Sequence, residues 1–113
     1  VEMAAHLRQH AATIGGRAQM AIEAFSDALE TIPATIAENA GYDPLDTVLA
    51  MRHEVLNGKI NMGPDVTHGG VTDMEKLGVV EPTALVRQAV LSATEVTNAI
   101  LRIDDIIGRK TME

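Results

Sequence analysis

The chain has 113 residues, of which 46% are hydrophobic and only 2% aromatic, and it carries a formal net charge of −7 and no cysteine. This length fits one domain with an aliphatic core. The lack of cysteine excludes disulfides and thiolate metal sites. The negative charge argues against nucleic-acid binding. No apolar run approaches the roughly 18 residues of a membrane span, so the composition predicts a mostly helical, soluble, cytoplasmic protein without a membrane partner.

The first two segments carry apolar residues at helical spacing. The first, residues 1–14, starts without methionine and without a capping residue, which predicts a fragment of a longer chain. Gly15 and Gly16 should break this helix, and the pattern resumes from Arg17. Acidic residues of the second helix fall mainly on one side, and we expect a solvated face for Glu23, Asp27 and Glu30.

Prolines and glycines then predict where the next helices begin and end. Pro33 should end the second helix and start a short one over residues 33–40, closed by Gly41 in a left-handed conformation. The clearest start signal is Asp43 as a cap followed by Pro44 in the first helical position. That helix should stop at residues 57–58, an Asn-Gly pair.

Between residues 59 and 80 the pattern changes from helical spacing towards alternation. A β-hairpin is predicted, with its turn at residues 68–70. Residues 73–77 could then form a single helical turn that ends at Gly78.

Pro82 should open a long last helix that reaches about Arg102. Its apolar residues form two rows and its polar residues one narrow strip, a pattern typical of a helix at the centre of a bundle. For residues 103–107, IDDII, the alternatives are one more helical turn or a short strand, and we favour the strand.

Three phrases of the sequence together resemble the C-terminal end of a group II chaperonin, the thermosome and eukaryotic cytosolic chaperonin family. They are GGRAQMAIEAFSDALETIPATIAENAGYDPLD, VTDMEKLGVVEP and SATEVTNAILRIDDII, which follow one another in order over nearly the whole chain. The resemblance implies a mainly α fold, a helical bundle with a small β-hairpin, for residues 1–113 as the C-terminal half of an ATP-binding equatorial domain.

The resemblance also implies which residues would face a nucleotide. Glu81 matches the acidic residue of the family's G-x-x-[DE]-P motif, which accepts hydrogen bonds from the ribose hydroxyls; the alternative is that Glu81 only caps the following helix. Val66 and Thr67 match positions that lie against the adenine ring, with Asp65 and Gly63 shaping the approach. From the residues alone, an ordinary hairpin that contributes only packing is an equally good interpretation.

The family's phosphate-binding loop of the GDGTT type, its catalytic aspartate and its substrate-enclosing domains have no counterpart in this sequence and are expected upstream of Val1. The intact protein would therefore bind ATP or ADP with Mg²⁺, assemble with other subunits in a double ring and fold unfolded protein substrates. The fragment itself is expected to have no catalytic residues and no ATPase activity. Without its partner elements, it should expose apolar helix faces.

Two further features concern single positions. Many group II members have a lysine where this chain has Val86, which puts a nucleotide contact there in doubt. His6 and His10 are four residues apart with Glu2 one turn earlier, but no third strong ligand is in view, so no metal site is predicted. The competing hypothesis for the whole chain is a stand-alone acidic helical module that binds a protein partner and no nucleotide.

Overall fold

The chain forms four helices and one antiparallel hairpin in a computed structural model that describes the backbone of residues 1–111 and the side chains of residues 1–103. In chain order the elements are α1 (Glu2–Ile14), α2 (Gly16–Asn39), α3 (Pro44–Leu56), β1 (Met62–Pro64), β2 (Val71–Asp73) and α4 (Thr83–Thr111). The fold is thus mainly α with a small β-hairpin, as the sequence predicts. The chain divides into two compact units, Val1–Val79 and Val80–Glu113.

The helix ends of the first unit lie where local sequence signals place them. Gly15, at a φ of 72°, separates α1 from α2. The Asp43 side chain accepts a hydrogen bond of 2.9 Å from the backbone N–H of Asp46 and so caps α3. At the end of α2, Gly41 has a φ of 88°, and the next backbone N–H, that of Tyr42, donates to the Ala37 carbonyl at 2.9 Å. This pattern is a Schellman motif, and the predicted left-handed conformation of Gly41 is confirmed, although the helix that it closes is α2.

The predicted break at Pro33 is wrong, because α2 runs without interruption from Gly16 to Asn39. A proline inside a helix removes one backbone hydrogen bond and costs about 3 kcal/mol. Here the Pro33 ring is buried and lines an apolar hollow with Leu29 and Met51. Tertiary burial therefore offsets a local signal that by itself favours two helices.

The core of the first unit lies where α2 packs against both α1 and α3. Its buried side chains are small or flexible: Ala4, Ala11, Ala37, Val48 and Met51. Alanines at a helix interface let two backbones approach closely. The sequence has only one tyrosine and one phenylalanine, and this scarcity of aromatic side chains is matched by close packing of helices.

A buried ion cluster joins these three helices. Glu30 of α2 is only 4% exposed, and its carboxylate accepts two hydrogen bonds from Arg52 of α3, at 2.6 and 3.0 Å. Arg8 of α1 also pairs with Glu30 and donates to Asp27 at 2.8 Å. The predicted solvated face is therefore wrong at Glu30, because arginines from two neighbouring helices cover and neutralise its charge.

The hairpin is confirmed, with Met62 opposite Asp73 and Pro64 opposite Val71. Its strands are shorter than the alternation of the sequence indicates, since β1 ends at Pro64 and residues 65–70 form the connecting loop. After β2, the backbone N–H of Leu77 donates to the Asp73 carbonyl. The predicted turn over residues 73–77 is therefore present as a hydrogen-bonded turn, although it is too short to form a regular helix.

The second unit contains α4, which begins one residue after the predicted start and continues to Thr111. The predicted strand over residues 103–107 is wrong, because this segment belongs to the helix. Since no glycine or proline interrupts the sequence before Gly108, the helical backbone hydrogen bonds can continue. The apolar rows of α4 are more than half exposed at Leu85, Leu91, Val96, Ile100, Leu101 and Ile103.

These exposed rows agree with the prediction that the chain by itself leaves apolar helix faces uncovered. Within the described residues, no helix has the length and apolar content to cross a membrane.

Candidate functional site

A concave pocket in the first unit contains three of the five residues predicted to face a nucleotide. Asp65, Val66 and Thr67 form part of its wall, and its volume is about 280 Å³. Apolar side chains from α2, β1 and the segment after β2 complete the lining: Ile36, Pro64, Met74, Leu77 and Val79. A mostly apolar concavity with a few polar groups is typical of a small-molecule site, and this volume lies just below the usual range of about 300–1,000 Å³.

The loop over residues 65–70 is held in shape by its own backbone. The Asp65 carboxylate accepts hydrogen bonds of 2.9 Å from the backbone N–H groups of Thr67 and His68. The backbone N–H of Asp65 donates to the Gly70 carbonyl, and that of Gly69 donates to the Asp65 carbonyl, both at 3.0 Å. Asp65 therefore organises the loop and leaves Val66 and Thr67 as the residues at its tip.

The same hydrogen bonds stabilise the ionised form of Asp65. Backbone donation from His68, and then from Thr67, holds the pKa of the Asp65 carboxyl below its usual value. One carboxylate oxygen accepts both backbone hydrogen bonds, and the other lies 3.3 Å from Nδ1 of His68. This arrangement suits a residue that shapes the site rather than one that contacts a ligand through a free carboxylate.

Gly63 supports the pocket from behind and is not part of its lining. A Cβ atom at this position would lie 2.6 Å from Cγ and 2.9 Å from Sδ of Met74. The missing side chain lets Met74 cross β1 closely, and Met74 in turn lines the pocket. Gly63 thus acts on the site through Met74.

Glu81, the predicted ribose ligand, belongs to the second unit, where it is exposed two residues before α4. The carbonyl of Pro82 accepts hydrogen bonds from the backbone N–H groups of Leu85 and Val86, at 3.0 and 3.4 Å. Pro82 therefore occupies the cap position of α4, which removes Glu81 from the cap position itself. Its role towards ribose stays a prediction, as does the effect of Val86.

Sequence reasoning did not single out the individual apolar residues of this wall. Leu77 and Val79 lie within a phrase that the sequence marks only as turn and linker, and Ile36 lies on α2 far from the hairpin in sequence. No local signal points to Ile36, because its position depends on how α2 packs against β1.

Known proteins share both the sequence and the fold of this chain. A sequence model described as the TCP-1/cpn60 chaperonin family matches residues 1–111. The chain belongs to the TCP-1/cpn60 chaperonin family. The resemblance stated from the sequence is therefore confirmed, and nothing in these similarities favours the stand-alone interaction module.

Several members of this chaperonin family are close in sequence. Thermosome subunit alpha of Halobacterium salinarum is 51% identical over 107 residues, which are 95% of this chain and 19% of that protein. Thermosome subunit beta of Archaeoglobus fulgidus is 49% identical over 113 residues, which are 100% of this chain and 21% of that protein. The chain thus spans about a fifth of the length of these thermosome subunits.

A solved chaperonin structure shares the fold. The open-state monomer of a group II chaperonin from Methanococcoides burtonii matches with a TM-score of 0.84 and 42% sequence identity. The match covers 89% of this chain and 25% of that chain. The mainly α fold with its small hairpin is therefore a chaperonin fold.

Proposed function

We propose that this chain supplies the adenine and ribose side of the ATP pocket in an ATP-dependent chaperonin, as the C-terminal half of an equatorial domain. The observation that carries the proposal is the pocket whose wall contains Asp65, Val66 and Thr67. The resemblance to chaperonins points to the same three residues. Their meeting in one concave, mostly apolar wall is what a base-binding surface requires.

The chemistry of this wall suits a purine base. Val66 presents a β-branched apolar side chain that is 54% exposed, which gives a planar ring a surface to lie against. The backbone N–H of Thr67 is already bonded to Asp65 and its carbonyl already accepts from the Tyr42 hydroxyl, so the Thr67 hydroxyl is the group that would meet the base edge. A hydroxyl donates and accepts, and it can therefore pair with either a ring nitrogen or an exocyclic amine.

Glu81 would bind the ribose. An ionised carboxylate only accepts hydrogen bonds, and the two neighbouring ribose hydroxyls provide two donors. The family motif supports this role, as does the exposed position of Glu81 two residues before α4.

The phosphates and Mg²⁺ would be bound by other parts of the intact protein. No group of three or more histidine, aspartate or glutamate side chains suited to a metal ion occurs among residues whose side chains are described. When bound, Mg²⁺ would neutralise the charge that develops on the phosphates during transfer. The residues of this chain would orient the base and sugar, and the chain alone should release no phosphate from ATP.

In the intact protein, ATP binding would shift the conformational equilibrium of a double ring of subunits that encloses unfolded protein substrates. The ring would lie in the cytoplasm. Contacts within this assembly would cover the exposed apolar rows of α4. The net charge of −7 fits a partner that is protein rather than nucleic acid.

A titration of the isotope-labelled chain with adenosine, followed by NMR, tests the nucleotide site. Adenosine carries the base and ribose without phosphates, and we expect chemical-shift changes at Val66, Thr67 and Glu81. Val66→Asp should abolish binding because it places a charge against the ring. Leu56→Asp is the matched control, since Leu56 is an apolar residue with 84% exposure that does not line this pocket.

A second comparison isolates the ribose contact. Adenosine should bind several-fold more tightly than 2′,3′-dideoxyadenosine, because the latter lacks both hydroxyl donors, and Glu81→Ala should remove this difference. Shifts spread evenly over the chain, or binding that is unchanged by Val66→Asp, would contradict the proposed site. Phosphate release from ATP by the purified chain, above that of its Glu81→Ala variant, would contradict the division of roles.

A further inference from the structure

Tyr42 connects the end of α2 to the loop that forms the proposed base-binding wall. Its hydroxyl donates a hydrogen bond of 3.1 Å to the backbone carbonyl of Thr67. The two residues are 25 positions apart in sequence, so this contact exists only in the folded chain. Tyr42 is also the only tyrosine in the sequence.

The position of Tyr42 is fixed from both sides. On one side, its backbone N–H closes the Schellman motif of α2 by donating to the Ala37 carbonyl at 2.9 Å. On the other side, Asp43 caps α3 through the 2.9 Å bond from Asp46. The tyrosine thus projects from a short connection between two anchored helix ends.

Its ring also packs against the backbone of the same loop. A Cβ atom at Gly69 would lie 2.7 Å from Cε1 and 3.0 Å from Cδ1 of Tyr42. Gly69 has a φ of 81° as well, which side chains rarely tolerate. The ring can approach the loop this closely only because residue 69 has no side chain.

We propose that Tyr42 is a positioning residue for nucleotide binding, which holds the loop over residues 65–70 in the conformation that presents Val66 and Thr67 to the base. The inference rests on the proposed function of the same pocket. Tyr42 does not line the pocket and acts through the Thr67 carbonyl. Because that carbonyl is held by Tyr42 and the Thr67 N–H is held by Asp65, both ends of this peptide segment are fixed before a ligand arrives.

The expected size of the effect follows from the population of the binding-competent loop. The apparent dissociation constant for adenosine equals the intrinsic constant divided by the fraction of molecules whose loop is in the binding-competent conformation. Loss of one hydrogen bond at a partly exposed site allows the loop to open for a substantial fraction of the time. Tyr42→Phe should therefore weaken adenosine binding about 2- to 5-fold, and Tyr42→Ala, which also removes the ring, should weaken it further.

The experiment measures two quantities for the 113-residue chain: adenosine affinity by NMR titration and amide hydrogen exchange in the loop. In Tyr42→Phe, exchange at residues 67–69 should become faster while the thermal midpoint of the helices changes little. Loss of affinity together with an equal loss of helix stability would contradict a positioning role. Unchanged loop exchange, or unchanged adenosine affinity, in Tyr42→Phe would also overturn the inference.

Two glycine variants test the ring contact from the opposite side. Gly69→Ala and Gly70→Ala both place a side chain at positive φ, at 81° and 75°, but the new Cβ meets Tyr42 only at Gly69. Gly69→Ala should therefore weaken adenosine binding more than Gly70→Ala does. In a Tyr42→Ala background this excess should disappear, and its persistence would contradict the proposed contact.

The outcomes also separate this inference from the proposed function. If the wild-type chain binds no adenosine, the proposed site fails and the inference fails with it. If the wild type binds adenosine and Tyr42→Phe binds it equally well, the proposed site stands and only the positioning role fails.

Discussion

Replacement of Glu30 by glutamine tests the ion cluster that joins α1, α2 and α3. The substitution keeps the size and shape of the side chain but removes its charge. Three charge-assisted contacts are weakened at once, two from Arg52 and one from Arg8. Because Glu30 is 4% exposed, water cannot replace these partners at the carboxylate.

The expected loss of stability depends on how deeply Glu30, Arg8 and Arg52 are buried. Breaking a fully buried ion pair by removing one partner costs about 3–5 kcal/mol. The Arg8 and Arg52 side chains keep 29% and 45% exposure, so they recover part of their hydration when Glu30 becomes neutral. Glutamine also avoids the cost of burying a charge. We therefore expect Glu30→Gln to lower the free energy of unfolding by about 2–3 kcal/mol, which for a domain of this size lowers the midpoint by about 10–20 °C.

Urea and thermal unfolding followed by circular dichroism would measure this loss. NMR signals from α1, α2 and α3 would assign it to the first unit. Glu23→Gln is the matched control, since Glu23 lies on the same helix with an exposed side chain and should change stability by no more than about 0.5 kcal/mol. If Glu30→Gln unfolds at the same midpoint as Glu23→Gln, the cluster does not stabilise the fold and the reasoning is refuted.

The ion cluster, the contact of Gly63 with Met74 and the Asp43 cap each give one further prediction. Burial raises the pKa of Glu30, but hydrogen bonds from Arg52 and Arg8 outweigh this effect and hold the pKa below its usual value of 4.5. The stability that this group contributes should be complete above that value and should be lost as the pH falls through the lower pKa of the folded state. Unfolding midpoints measured below about pH 4.5 should therefore fall more steeply in the wild type than in Glu30→Gln. Gly63→Ala should lower stability by about 1–3 kcal/mol because its Cβ would meet Met74, and an added Met74→Ala should recover part of this loss in urea unfolding. Asp43→Ala should cost about 1 kcal/mol through loss of the cap on α3, whereas Asp43→Asn should cost much less, and equal losses for the two would argue against the cap.

The candidate site was predicted in part. Local chemistry makes Asp65 an organiser of a turn and makes Val66 and Thr67 its exposed tip, and these properties depend on neighbours within a few residues. The assignment of these residues to a nucleotide came from family resemblance, since an apolar hairpin tip has no chemical signature of its own. The wall opposite them, including Ile36, depends on contacts between elements far apart in sequence.

Local sequence signals are sufficient to place the ends of most elements. The residues that mark these ends act through their own backbone conformation or through hydrogen bonds to residues within one turn. They are Gly15, Gly41, Asp43 and the Asn-Gly pair at residues 57–58. Such short-range effects can be read without knowledge of the fold. The hairpin over residues 62–73 was predicted for the same reason.

Residues with ambiguous local signals take their roles from long-range contacts. Pro33 lies inside a continuous helix because its ring is buried, and Glu30 is buried because arginines of two other helices reach it. Tyr42 reaches the loop at Thr67 because two capped helix ends fix its position. In each case the deciding free energy comes from a group distant in sequence, and a local pattern does not contain that partner.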